Sequence, residues 1–151
     1  MIAPRGFTLL IALILTSVLV SIGLALIDVS YKQLVLASTV KNSQIAFYKA
    51  DAALECALYY DQKLNAFHKL VALDTVRCAG RDFDVTGTNT GATRTSQFSI
   101  TCPGGGETAT VRITKNDNGA TTIYANGYSA CSATDLRRVE RGLKVTYSGS
   151  P

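Results

Sequence analysis

The chain has 151 residues, a net charge of +4 and four cysteines, and 47% of its residues are hydrophobic. That length suits one domain rather than two, and so mild a positive balance does not call for nucleic acid as a partner. The hydrophobic residues are spread unevenly, and the chain is best read segment by segment.

Residues 1–6, "MIAPRG", form a short head with one Arg. From Phe7 to Ile27 there follow 21 residues without a single charge. At 1.5 Å per residue such a helix spans roughly 31 Å, the thickness of a hydrocarbon core. Thr8, Thr16, Ser17 and Ser21 do not forbid insertion, because hydroxyls can bond back to helix carbonyls. Arg5 stands on one side, with Asp28 and Lys32 on the other, so the basic end is expected to stay in the cytoplasm. A cleaved secretory signal is the competing reading. Such signals have a shorter apolar core and a small-x-small cleavage site, whereas "GLALIDVS" offers no Ala-x-Ala.

No proline occurs between Pro4 and Pro103, and the helical pattern runs on past Ile27. Leu36, Val40, Phe47, Leu54 and Leu58 recur at helical spacing and are expected to form one buried face. Lys32, Gln33, Lys41, Gln44, Lys49 and Gln62 supply the solvated face. One helix from Phe7 to about Leu64 is therefore expected, apolar all round in its first half and amphipathic in its second. A helix that long cannot be covered by so small a domain, so its first half belongs in lipid or against other proteins.

After Asn65 the signals change. "DFDV" (82–85) reads as a short strand or a bridge, and "TGTNTGATRTS" (86–96) as a polar loop. "SQFSIT" (96–101) alternates, with Phe98 and Ile100 on one side, and "CPGGGE" is a turn. "TATVRIT" (108–114) places Ala109, Val111 and Ile113 on one face. "KNDNG" is a hairpin turn, and "TTIYANGY" (121–128) returns with Ile123 and Ala125 inward. "RRVERGLKVTY" (137–147) sets Val139, Leu143, Val145 and Tyr147 on one face. Arg141 interrupts that face, and is expected at the sheet margin or paired with a carboxylate. About four antiparallel strands packed on the amphipathic half-helix give a two-layer α+β domain.

Cys56, Cys78, Cys102 and Cys131 all follow the apolar segment. Their wide separations leave no C-x-x-C pair to suggest zinc or thioredoxin chemistry. An even number in an exported domain reads as two disulfides. Three connectivities are open. The preferred one is Cys56–Cys78, tying the helix to the next loop, with Cys102–Cys131 stitching the sheet. No catalytic or cofactor site is expected. His68, the single histidine, lacks partners at ligand spacing and reads as a solvated loop residue. "CPGGGE" lacks the Lys-Ser/Thr of a phosphate loop. Arg137, Arg138, Arg141 and Lys144, with Arg112 and Lys115, form a basic set. DNA phosphates would use such residues, but without interleaved aromatics a charged surface or subunit contact is the ordinary reading.

The opening can now be compared with a known pattern. "RGFTLL" followed by about twenty apolar residues and an amphipathic continuation resembles the N-terminus of type IV pilins and pseudopilins. The resemblance implies a leader (1–6) removed by a prepilin peptidase between Gly6 and Phe7, and N-methylation of Phe7. It further implies a membrane and filament-core half-helix (7–27), an amphipathic half (28–66) and a disulfide-stabilised C-terminal β domain (67–151). The implied partners are the inner membrane, the prepilin peptidase, other pilin subunits and an assembly platform. The implied location is the cytoplasmic membrane with the C-terminus outside, then a surface filament. The sequence departs from the family at Ile11, where most members carry Glu, a substitution similar to that of tip pseudopilins and some minor pilins. Gly23 lies where the family's helix can loosen, and equally where a close-packing or merely tolerated Gly would sit. A minor pilin, a pseudopilin of a type II secretion system, and a single-pass anchored binding domain that never joins a filament are the functions to be separated.

Overall fold

The computed structural model describes residues 5–68 and 74–148; the first four residues of the expected 1–6 segment lie outside that set. Helix α1 runs Arg5–Leu64. It ends where Asn65 takes the left-handed conformation (φ 50°), one of the few non-glycine types that tolerate it. Ala66 N–H then returns to the Tyr60 carbonyl at 3.0 Å. Seven strands follow: β1 (Thr75–Cys78), β2 (Arg81–Asp84), β3 (Thr86–Asn89), β4 (Thr93–Thr101), β5 (Glu107–Asn116), β6 (Ala120–Tyr128) and β7 (Glu140–Ser148). The first two form a hairpin and the other five an antiparallel sheet in chain order. This is the expected α+β arrangement, a long apolar N-terminal helix with a small antiparallel sheet.

The chain divides into two compact units, Met1–Ser38 and Thr39–Pro151. The break falls eleven residues beyond Ile27, and residues 28–38 are exposed throughout. The C-terminal unit thus takes in the helix only from Thr39.

Two readings are corrected. Residues 86–96 are not a loop, because Thr86–Asn89 pairs with β4 from Thr86↔Gln97 to Asn89↔Arg94. Its turn is set by Gly91 (φ 79°) and by Gly91 N–H bonding Asn89 Oδ1 at 3.2 Å. Threonine suits a pleated edge, but every residue of β3 is exposed, so there was no apolar period to find. The sheet consequently has five strands rather than four, with the β1–β2 hairpin beside it.

The second correction concerns the helix face. Leu36, Val40 and Phe47 are exposed, and Leu54 and Leu58 are only partly buried. The residues that disappear are Ala46, Ala50, Ala53 and Ala57, all at 0% exposure. Their spacing of four, three and four is one helix stripe. Small residues let the helix approach the sheet backbone closely. At Gly127, which pairs with Ala109, a Cβ atom would meet the Ala46 carbonyl oxygen at 2.1 Å and the Ala50 nitrogen at 2.4 Å. The large core residues come from the other side: Val111, Ile113, Ile123 and Phe98, with Phe67 just past the helix stacking on Phe98 at 6.2 Å. The opposite sheet face is polar. One cross-strand row on it reads Thr88, Thr95, Thr114, Thr122, Thr146 over all five strands.

Candidate functional site

In the first unit the apolar segment is uncovered. Phe7 is 64% exposed, and none of the apolar stretch of α1 is buried by the chain itself. The helix is long and apolar enough to cross a membrane. Its hydroxyls are satisfied internally, as insertion into lipid requires. Thr16 Oγ1 donates to the Ala12 and Leu13 carbonyls, Ser17 Oγ to Ile14, and Ser21 Oγ to Ser17, all at 2.8–3.0 Å. Past the segment, Lys32 Nζ lies 2.7 Å from Asp28 Oδ2, an exposed i,i+4 pair.

Gly6 and Phe7 belong to the first turns of this helix. Ile11 is 41% exposed, and no carboxylate occurs anywhere in Phe7–Ile27. Gly23 is helical, and a Cβ there would meet nothing within 4 Å. No group among the described residues therefore requires a glycine at that position.

In the second unit the cysteines form Cys56–Cys78 and Cys102–Cys131 bridges. The first joins α1 to β1, where Arg77 N–H also donates to Tyr60 Oη at 2.8 Å. The second ties the end of β4 to the loop after β6. There Gly106 (φ 78°) is held so near Cys131 that a Cβ would lie 2.2 Å from the Cys131 carbonyl oxygen.

Sequence reading missed a buried ionic site. Asp61, one turn beyond the alanine stripe, lies 2.7 Å from Lys115 Nζ, with side chains only 3% and 10% exposed. Tyr147 Oη donates to the other Asp61 oxygen. Burial, followed by this bond and the Asp61 charge, pushes the Tyr147 phenol above its usual range. Lys115 and Tyr147 both flank Thr121 in register, so Asp61 closes a polar row across three strands. The signal was available: Asp61 follows Ala57 by four residues, the step that places it on the same stripe. Three turns earlier on the helix, Lys49 Nζ donates to the Tyr128 and Ser129 carbonyls at 2.9 and 3.3 Å. Burial draws its ammonium below the usual lysine range.

The basic set does not gather into one patch. Lys115 is consumed by Asp61. Arg141 does lie on an edge strand, but it bonds Ser43 Oγ at 2.7 Å instead of a carboxylate. Arg141 pairs with the helix-facing Gly127, whereas Lys144 pairs with Tyr124 on the solvent side. Aromatics absent from the run itself are supplied across the sheet: Arg138 covers the Tyr128 ring at 3.8 Å and Lys144 the Tyr124 ring at 5.1 Å. His68 is half-buried, with its N–H bonded to the Asn65 carbonyl. Among the described residues no group of three or more His, Cys, Asp or Glu is placed to hold a metal ion.

No family model, curated protein or solved structure matches this chain.

Proposed function

We propose that this chain is a structural subunit, a minor pilin or pseudopilin, of a type IV pilus or a related secretion filament. Its leader is cut between Gly6 and Phe7, and Phe7 becomes the methylated terminus. The observation that carries the reading is the uncovered apolar helix from Phe7 to Ile27 directly behind the Gly-Phe-Thr-Leu boundary. Each large apolar side chain there gains about 1.5–3 kcal/mol when taken out of water. That gain is available equally from lipid and from the half-helices of sibling subunits, so one segment serves as anchor before assembly and as filament core after it.

Ile11 assigns the subunit a special place. In a filament core, a terminal amine without a facing carboxylate is an uncompensated buried charge, costing about 3–5 kcal/mol in a dry site. A subunit with Ile at this position gives no such carboxylate to a neighbour's amine. It is therefore suited to the tip or to sparse insertion and not to the repeating shaft.

Mass spectrometry of the mature N-terminus tests the proposal. A methylated Phe7 is expected. An intact Met1 in membranes that contain an active prepilin peptidase would overturn it in favour of a single-pass anchored domain. Gly6→Leu should leave uncut precursor in the inner membrane, and normal maturation of that variant would count equally against the reading.

A further inference from the structure

The polar face of the five-stranded sheet is shaped in rows that cross the strands. One row reads Gln97, Arg112, Tyr124, Lys144, each directly opposite the next from β4 to β7. All four are exposed. The next row on the same face reads Ser99, Thr110, Asn126, Gly142, and its side chains are short, dwindling to nothing at the glycine. Beyond it stands Tyr128, with the Arg138 guanidinium over its ring at 3.8 Å. The middle row is therefore the floor of a shallow trough. Four strands give the floor a length of roughly 14 Å, and Tyr124 and Tyr128, two same-face steps apart on β6, set the walls roughly 13 Å from each other.

The floor offers hydrogen bonds and little apolar contact. Thr110 Oγ1 and Tyr128 Oη lie 3.3 Å apart. Asn126 leans over Gly142, where a Cβ would sit 2.8 Å from Asn126 Oδ1. Beside them is a dip of about 40 Å³, bounded by Gln97, Thr110, Arg112, Tyr124 and Asn126, which is room for one small polar group. The main chain of β5 and β6 takes no part, because both strands are laddered on both sides. An added strand thus has no edge here to pair with, and recognition falls to hydroxyls, amides and cations.

The cations fix the sign of the ligand. Arg112 and Lys144 flank Tyr124 from the neighbouring strands, about 10 Å apart across two strand spacings, and Lys144 Nζ lies 5.1 Å from the Tyr124 ring. Among the described residues neither cation pairs with a carboxylate. Glu140 stands on the far wall, opposite Tyr128. A single-stranded nucleic acid stacks its bases on bare rings in succession, whereas both tyrosines here already carry a cation. A sugar chain needs donors and acceptors along its length, and an acidic one needs cations at intervals as well. We propose that this trough binds an acidic polysaccharide lying across the strands, with one carboxylate in the dip beside Arg112 and another toward Lys144. The assignment is independent of the filament reading.

The test uses the full chain in detergent micelles, amide NMR, and hexamers of galacturonate and of mannuronate. With at least one of them, saturable shifts are expected at the Thr110, Tyr124 and Asn126 amides at millimolar concentration or below. The fully methyl-esterified hexamer keeps every ring and loses the charge, and should bind at least about threefold more weakly. Arg112→Gln and Lys144→Gln should each weaken binding roughly two- to fivefold, whereas Lys41→Gln on α1 should not. Gly142→Leu, an exposed change on the edge strand, should fill the floor and remove the Asn126 shift while moving the melting temperature by only a few degrees. If neither hexamer shifted these amides, if the ester bound as well as the acid, or if a folded Gly142→Leu chain bound unchanged, the proposal would be wrong. Tighter binding of a thymidylate dodecamer or of hexaglutamate at the same amides would equally overturn it, in favour of a nucleic acid or an acidic peptide. The ester comparison decides the matter even where Gly142→Leu does not fold.

Discussion

Replacing Asp61 with Ala offers the sharpest energetic test of the C-terminal unit. The substitution removes the carboxylate 2.7 Å from Lys115 Nζ, at a site where the two side chains are 3% and 10% exposed. The Lys115 ammonium is then buried without its partner, which costs about 3–5 kcal/mol. Tyr147 also loses its acceptor, but it is half-buried and water can replace the bond. For a domain of this size, at about 5 °C per kcal/mol, the melting temperature should fall by roughly 15–25 °C. The assay is thermal and urea unfolding of the full chain in micelles, followed by near-ultraviolet circular dichroism. Lys115→Met in the Asp61→Ala background should restore most of the loss, because a buried pair replaced by apolar groups is often close to neutral. A cost below about 1 kcal/mol for Asp61→Ala, or simple additivity of the two substitutions, would refute the claim that this pair is a coupled buried ion pair.

Four further outcomes are expected. Gly127→Val should force α1 from the sheet and cost at least about 1–3 kcal/mol by overpacking, measurable as a lower urea midpoint; an unchanged midpoint would mean that the helix is not seated as closely as described. Tyr147 has a raised phenol pKa, so the folded state holds its proton more tightly than the unfolded chain. Its stabilising contribution is therefore complete below the unfolded value near 10 and is lost as pH rises toward the folded one, and Tyr147→Phe should flatten the decline in stability measured above about pH 10. Replacing Cys102 and Cys131 with Ser should cost about 2–4 kcal/mol, read from unfolding under non-reducing conditions. Ile11→Glu should increase the subunit's abundance along filament shafts, counted by immunogold labelling, and unchanged abundance would show that position 11 does not set its location.

The long helix was legible because its evidence is local and repeated: no proline between Pro4 and Pro103 and a charge-free run of 21 residues. The ends of β5 and β6 were legible for the same reason, since alternation in 108–114 and 121–128 survives in the burial pattern. What escaped was set by partners distant in sequence. The buried helix face was sought among Leu and Phe, yet a seam against sheet backbone selects for small side chains, and Ala46, Ala50, Ala53 and Ala57 look like mere helix formers until Gly127 is brought against them. β3 is a strand only because β4 lies alongside it. Asp61 and Lys115 read as two surface charges, because nothing within either segment shows that they meet 54 positions apart.

The seam also explains what the outer flank of α1 is free to do. Cohesion of the C-terminal unit rests on tiny side chains turned toward the sheet, while Phe47, Tyr48 and Tyr59 project outward. Substitutions on the projecting flank leave the alanine contacts untouched, so lineages could retailor which neighbours the helix greets without renegotiating the stability of the body it carries.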